Sequence, residues 1–208
     1  MICVFLNYAS VNCVRLLNVI ESDHSIAQYI RELEVPVPNS CHGGSAVVPL
    51  IKNLLHLLRL CVYIPNGNWF VHPLSKMHPT IMDTIATRAS LQHLELHFVV
   101  LDDTNQIFRL IRHLTNLHDL DLLCTMFDVA QLHSQSQPKA SRVTKLAISC
   151  TSLMRLLGHP ESGPIDLLKI THLKVPLFYA DPSDFNRLVS AAMSLERLEI
   201  TVGIFVGL

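Results

Sequence analysis

Leu91-Gln-His-Leu94-Glu-Leu96 and Leu117-His-Asp-Leu120-Asp-Leu122 are one short phrase written twice, with the run Asn105-Gln-Ile-Phe-Arg-Leu-Ile-Arg-His-Leu114 between them. In the phrase, leucines alternate with polar residues at the end, which is the period of a strand with one buried face. In the run, Ile107, Leu110, Ile111 and Leu114 recur at i, i+3, i+4 and i+7, the stripe of an amphipathic helix. One strand and one helix cannot bury these faces alone, so the unit calls for copies of itself to stack against.

The copies are found by reading outward for apolar-x-x-apolar-x-apolar. They are Ile30/Leu33/Val35, Leu55/Leu58/Leu60, Leu91/Leu94/Leu96, Leu117/Leu120/Leu122, Val143/Leu146/Ile148, Ile170/Leu173/Val175 and Leu195/Leu198/Ile200. Between the central leucines the steps are 25, 36, 26, 26, 27 and 25 residues. So loose a phrase recurs by chance in an apolar chain, but chance does not hold five of six steps within two residues of each other. A strand-bearing repeat of about 20 to 29 residues is the signature of a leucine-rich-repeat solenoid. The expectation is therefore α/β: an irregular leucine-rich-repeat solenoid over residues 1–208, about seven units in a single array, with a parallel sheet on one face and helices on the other.

The segments between phrases fit that plan. Ser10 to Ile30 reads as helical, with Val14, Leu17, Ile20, Ile26, Tyr29 and Ile30 as its buried set. Pro79 to Ala89 has proline at a plausible first helical position and Ile81, Met82 and Ile85 on one face. Asp102-Asp103 can cap the Ile107 helix. Ser152 to Leu157 is a short helix ended by Gly158 and Pro160. Ser183 can cap a helix with the stripe Phe185, Leu188, Val189 and Ala192. Pro36 to Gly44 and Ser134 to Pro138 read as loops. The long second step is assigned to an insertion from Pro65 to His78, in which Trp69 and Phe70 cover local core.

Composition narrows the function. Half of the 208 residues are apolar and the formal net charge is −1, so the chain can bury a sizeable core and carries no basic footprint for nucleic acid or an anionic membrane. The mean hydropathy of +0.35 raises the question of a membrane span. Its most apolar window, Val47 to Ile64, is interrupted by Lys52, Asn53, His56 and Arg59, so none is expected. The N-terminus has an apolar stretch but no basic residue ahead of it, and is not read as a signal peptide. Six cysteines without a C-x-x-C pair read as reduced, mostly buried thiols of a cytoplasmic or nuclear protein.

The run Arg15-Leu-Leu-Asn-Val-Ile-Glu-Ser, followed by His24-Ser-Ile-Ala-Gln-Tyr-Ile-Arg-Glu-Leu-Glu-Val35 and the repeated Leu-x-x-Leu-x-Leu strands, resembles the leucine-rich region of fungal F-box-like proteins of mushroom-forming species. The resemblance spans nearly the whole chain through degenerate motifs. It implies an intracellular protein-binding scaffold that presents substrate to a ubiquitin ligase. In that family a Skp-type adaptor is bound through an F-box, and no F-box motif precedes residue 10. After Ile200 no polar cap follows. The chain is thus expected to be either a fragment or a divergent member that has lost the adaptor module, and its array, uncapped after Ile200, is expected to be incomplete and to self-associate. The longer consensus places asparagine five residues after the central leucine, and none stands there, so an irregular array without an asparagine ladder is expected.

If the leucines point inward, the residues between them form rows on the exposed side of the sheet. Stacking the phrases puts Glu32, Leu57, His93, Asp119, Lys145, His172 and Arg197 in one row, and Glu34, Arg59, Glu95, Asp121, Ala147, Lys174 and Glu199 in the next. The expected partner-binding residues are Glu34, Arg59, His93, Glu95, Asp119, Asp121, Lys145, Lys174 and Arg197, a mixed-charge surface for a protein whose identity the sequence does not name. The alternative is a solvated face whose charges only pair across strands, each pair contributing roughly 0.2–1 kcal/mol.

No metal site or cofactor is expected. His93 and His97 are four residues apart on a strand, roughly 13 Å, too far for one tetrahedral ion. Cys124 and Cys150 occupy equivalent places in adjacent units, where two free thiols are preferred to a disulfide. The sequence contains no G-x-S-x-G, phosphate-cradling glycine loop or H-E-x-x-H, so it is not read as an enzyme. A small hydrolase-like α/β domain stays the alternative, since its strands would also be parallel and flanked by helices.

Overall fold

The computed structural model describes residues 2–6, 11–36, 44–63, 77–97, 99–101, 104–122, 126–127, 142–149, 154, 165–176 and 181–201. Ten strands and five helices lie in these stretches, in an α/β arrangement: β1 (Ile2–Phe5), α1 (Val11–Ser22), β2 (Ile30–Pro36), α2 (Gly44–Asn53), β3 (Arg59–Tyr63), α3 (Pro79–Ala86), β4 (His93–His97), β5 (Val100–Leu101), α4 (Thr104–His113), β6 (Asp119–Leu122), β7 (Met126–Phe127), β8 (Lys145–Ile148), β9 (His172–Pro176), α5 (Pro182–Ala191) and β10 (Arg197–Thr201). Eight strands form one open parallel sheet in the order β1-β2-β3-β4-β6-β8-β9-β10, and β5 pairs with β7 in a small second one. Position in the large sheet follows position in the chain, with no reversal.

The register joins like to like. Leu33, Leu60, Leu94, Leu120, Leu146, Leu173 and Leu198 are Cα partners across successive strands. All but Leu198 are buried, and with Ile30, Leu57, Leu91, Leu117, Val143 and Ile170 they belong to one continuous core. A second periodic signal lies outside the phrase. Ala27, Leu54, Leu114, Leu167 and Ala192 are buried three residues before the phrase begins. Four of the turns close on them: the amide N–H groups of Leu57, Leu117, Ile170 and Leu195 donate to the carbonyls of Leu54, Leu114, Leu167 and Ala192. Ahead of the strands, single carbonyls accept two amides from the next unit. Gln92 and His93 donate to Leu58, His118 and Asp119 to Gln92, Thr144 and Lys145 to His118, and Thr171 and His172 to Thr144. Polar side chains clip the same turns together: Ser90 Oγ donates toward the carbonyls of Leu55 and Leu57, and Asn116 Nδ2 to that of Ala89.

The second phrase is corrected. Residues 54–60 are dense in leucine, so two frames fit the pattern, Leu55/Leu58/Leu60 and Leu57/Leu60/Val62. Leu60 pairs with Leu33 and Leu94, which selects the second frame. Packing explains the choice: Leu57, Leu60 and Val62 are all fully buried, whereas Leu55 lies in the turn and is 66% exposed. The central positions become 33, 60 and 94, so the steps are 27 and 34 residues. Arg59 therefore belongs to the first exposed row in place of Leu57, and Cys61 takes the place in the second row assigned to Arg59.

Other differences follow from local physics. β1 is an eighth strand of the large sheet, pairing with β2. Its sequence, Ile2-Cys3-Val4-Phe5, has no polar alternation to announce it. The helical stretch from Ser10 is shorter than expected and turns a different face inward. Cys13 and Ile20 are buried with Leu16 packed against the core, while Val14 is 44% exposed. Asp23 stops the helix, its carboxylate accepting from the amide and hydroxyl of Ser25. α2 is the helix that sequence reading missed. Val47, Leu50, Ile51 and Leu54 follow the i, i+3, i+4, i+7 rule and are fully buried, but Pro49 inside the same helix masks the signal.

The remaining helices match their stripes. α3 starts at Pro79 with the His78 side chain accepting from the Thr80 amide, and buries Ile81, Met82 and Ile85. α4 buries Ile107, Leu110 and Ile111, with Leu114 just beyond. α5 is capped by Asp181 rather than Ser183, whose amide and hydroxyl both donate to that carboxylate. α1, α2, α3 and α4 pack each on the next, as a layer over the leucine face of the sheet. Asp102-Asp103, the loop after Pro36, Trp69, Phe70, Cys124, Cys150, the loop at 134–138 and the short helix assigned to Ser152–Leu157 lie outside the described residues, apart from Met154, which is helical and buried. Among the described residues, no helix is long and apolar enough to cross a membrane.

Candidate functional site

With the leucine face covered, the other face of the sheet carries the polar side chains. Its first row is Glu32, Arg59, His93, Asp119, Lys145, His172 and Arg197, and its second is Glu34, Cys61, Glu95, Asp121, Ala147, Lys174 and Glu199. Each strand contributes to both rows because side chains two apart point the same way.

The densest chemistry is on β2, β3, β4 and β6. Arg59 Nη1 lies 3.8 Å from Glu32 Oε2 on the neighbouring strand. Toward β4 its Nε and Nη2 donate to Glu95 Oε1 at 2.8 and 2.5 Å. The bond to Glu95 raises the Arg59 guanidinium further above its usual range, so it stays charged. Glu95 Oε2 faces the other way, 3.7 Å from His97 Nε2, and the same imidazole nitrogen is 3.5 Å from Asp121 Oδ1. A hydrogen bond to Asp121 holds the His97 imidazole above its ordinary range against the opposing effect of burial, and the charges of Asp121, Glu95 and Glu34 add to the rise. His93 Nδ1 sits 3.4 Å from Asp119 Oδ2, its register partner.

Cys61 sits inside this group, between Glu34 and Glu95 in the second row. Burial pushes its thiol up to about 12, with Glu95 and Glu34 adding to the effect. One ligand atom each of Cys61, Glu95 and His97 lie within 4.8 Å of one another. A soft thiol, an imidazole and a carboxylate at that spacing are residue types that can hold a transition-metal ion.

The nine residues expected to bind a partner all lie on this face, but they are not one cluster. Arg59, Glu95 and Asp121 are linked through contacts with Glu32 and His97, Glu34 flanks Cys61, and His93 pairs with Asp119. Lys145 and Lys174 stand on the next two strands, and among the described residues no ion pair joins either to a carboxylate. Arg197 pairs within its own strand, Nη2 to Glu199 Oε1 at 2.5 Å. Glu32, Cys61 and His97 complete the group and were not among the expected residues. Cys61 was missed through the two-residue slip of the second phrase. In the sequence His97 stands near His93 on its own strand, whereas its neighbour Asp121 is across the sheet.

No protein-family model matches the sequence, and no curated protein matches it.

Proposed function

We propose that this chain is a protein-interaction scaffold, an irregular leucine-rich-repeat solenoid whose exposed sheet face holds a protein partner. The observation that carries this reading is the segregation of charge along the sheet. Glu32, Glu34, Glu95, Asp119 and Asp121 on β2, β4 and β6 outnumber the one guanidinium among them, Arg59 on β3, while Lys145 and Lys174 lie on β8 and β9 and Arg197 on β10 is paired with Glu199. Opposite-sign blocks on one face fix the direction in which a partner of complementary charge docks, and they speed its encounter. The unreversed strand order supports a solenoid over the hydrolase-like alternative, because open doubly wound sheets place their ligands where the strand order reverses.

Within that reading, the resemblance to fungal F-box-like proteins favours a ubiquitin-ligase substrate as the partner, with a Skp-type adaptor engaged only through an F-box. Site-specific photocrosslinking tests which face works. A photoreactive residue at Lys174 on the sheet face is expected to capture a partner that the same residue at Arg109, exposed on α4, does not. Equal capture from both positions would overturn the assignment of the face.

A further inference from the structure

We propose that Cys61, Glu95 and His97, with Asp121 as fourth ligand, form a binding site for a divalent zinc-type ion on the exposed sheet face. Three adjacent strands supply the donors: Cys61 from β3, Glu95 and His97 from β4 and Asp121 from β6. Cys61, Glu95 and His97 already hold one donor atom each within 4.8 Å of the others. In a tetrahedral zinc site, with bonds of about 2.0 to 2.3 Å, donors stand about 3.5 Å apart, so side-chain rotations of roughly 1 Å bring these three to ligating separation. Asp121 Oδ1 is 3.5 Å from His97 Nε2, already at that separation.

The surroundings suit a cation. Glu32, Glu34, Glu95 and Asp121 set four carboxylates against the single guanidinium of Arg59. Arg59 engages Oε1 of Glu95 and leaves Oε2 to the metal, so it orients the ligand as outer-shell partners do. The donor set selects the ion. Thiolate and imidazole disfavour magnesium and calcium, and the mixed sulfur, nitrogen and oxygen set matches zinc. Binding replaces the S–H bond of Cys61 with a sulfur–zinc bond, and the His97 nitrogen that takes the ion gives up the proton it shares with Asp121; these protons pass to solvent and no electron is transferred. The ion would tie β3, β4 and β6 together on the face opposite the leucine core. The site stands or falls independently of the partner-binding reading, since its test uses the metal alone.

The test is titration of the whole chelator-treated chain with Zn²⁺ by calorimetry and with Co²⁺ by absorption. One ion per chain is expected, with a thiolate-to-cobalt charge-transfer band and a melting temperature that rises with zinc and falls again with chelator. Cys61→Ser should lose the band and Cys3→Ser should keep it. Because Cys61 is buried and its variant can fail to fold, Glu95→Gln and His97→Gln give a second reading from the sheet face. Each should weaken zinc binding on the order of 100-fold. Absence of zinc binding to the wild-type chain would overturn the proposal. So would binding left unchanged in Glu95→Gln and His97→Gln.

Discussion

Arg59 aims both Nε and Nη2 at one oxygen of Glu95, at 2.8 and 2.5 Å, although the two residues are 36 positions apart and are not register partners. The bond is a diagonal between adjacent strands, made possible because Arg59 sits one pleat before Cys61, opposite His93. Its energy is small. The Arg59 side chain is 49% exposed, so screening and side-chain entropy offset most of the attraction. Arg59→Ala should lower stability by no more than about 1 kcal/mol in denaturant unfolding. A loss above about 3 kcal/mol would place Arg59 in a desolvated network instead.

The frame of the second unit is directly measurable. Leu60 is fully buried and Leu55 is exposed, though both belong to the phrase as the sequence first suggests it. Leu60→Ala should cost about 2–5 kcal/mol, as core leucine truncations do. Leu55→Ala should stay within about 0.5 kcal/mol, like most surface changes. Comparable losses at the two positions would contradict the register.

Much of the α/β fold is legible in the sequence for a physical reason: parallel strands that share one core need an apolar residue at the same register place in each strand. Leu94, Leu120, Leu146 and Leu173 announce themselves by even spacing, and the α4 stripe follows. Legibility fails where that constraint is met twice over or concealed. Leucines at 54, 55, 57, 58 and 60 satisfy two frames at once. Pro49 interrupts the appearance of a helix that Val47, Leu50, Ile51 and Leu54 nonetheless bury. The cluster at Cys61 was hidden for a different reason. Its members are 2 to 60 positions apart in sequence, and only the correct pairing of β3 with β4 and β4 with β6 makes them neighbours.

Thiol chemistry separates the described cysteines. Burial pushes the Cys13 thiol up to about 11 and that of Cys61 to about 12; the Cys3 thiol is raised too, by desolvation and by Glu32, but it alone of the three is exposed, on β1. The thiolate is the reactive form, so burial and a raised pKa both protect. In chelator-containing buffer near neutral pH, a maleimide should label Cys3 and spare Cys13 and Cys61 until denaturant is added, as read by peptide mass spectrometry. Early labelling of Cys61 would show that Glu34, Glu95 and His97 do not shield it.

The central claim is that the leucines hold the stack while the charged residues between them do the binding. It is tested most directly by reversing Asp119 and Asp121 together to lysine, then measuring affinity for the crosslinked partner alongside the melting temperature. Both positions lie on the exposed face, and each new like-charge contact costs about 0.2–1 kcal/mol. In metal-free buffer the melting temperature should therefore fall by no more than about 8 °C. Affinity for the partner should fall at least tenfold. Unchanged affinity in a folded variant would contradict the claim and leave the charged face with no part in binding.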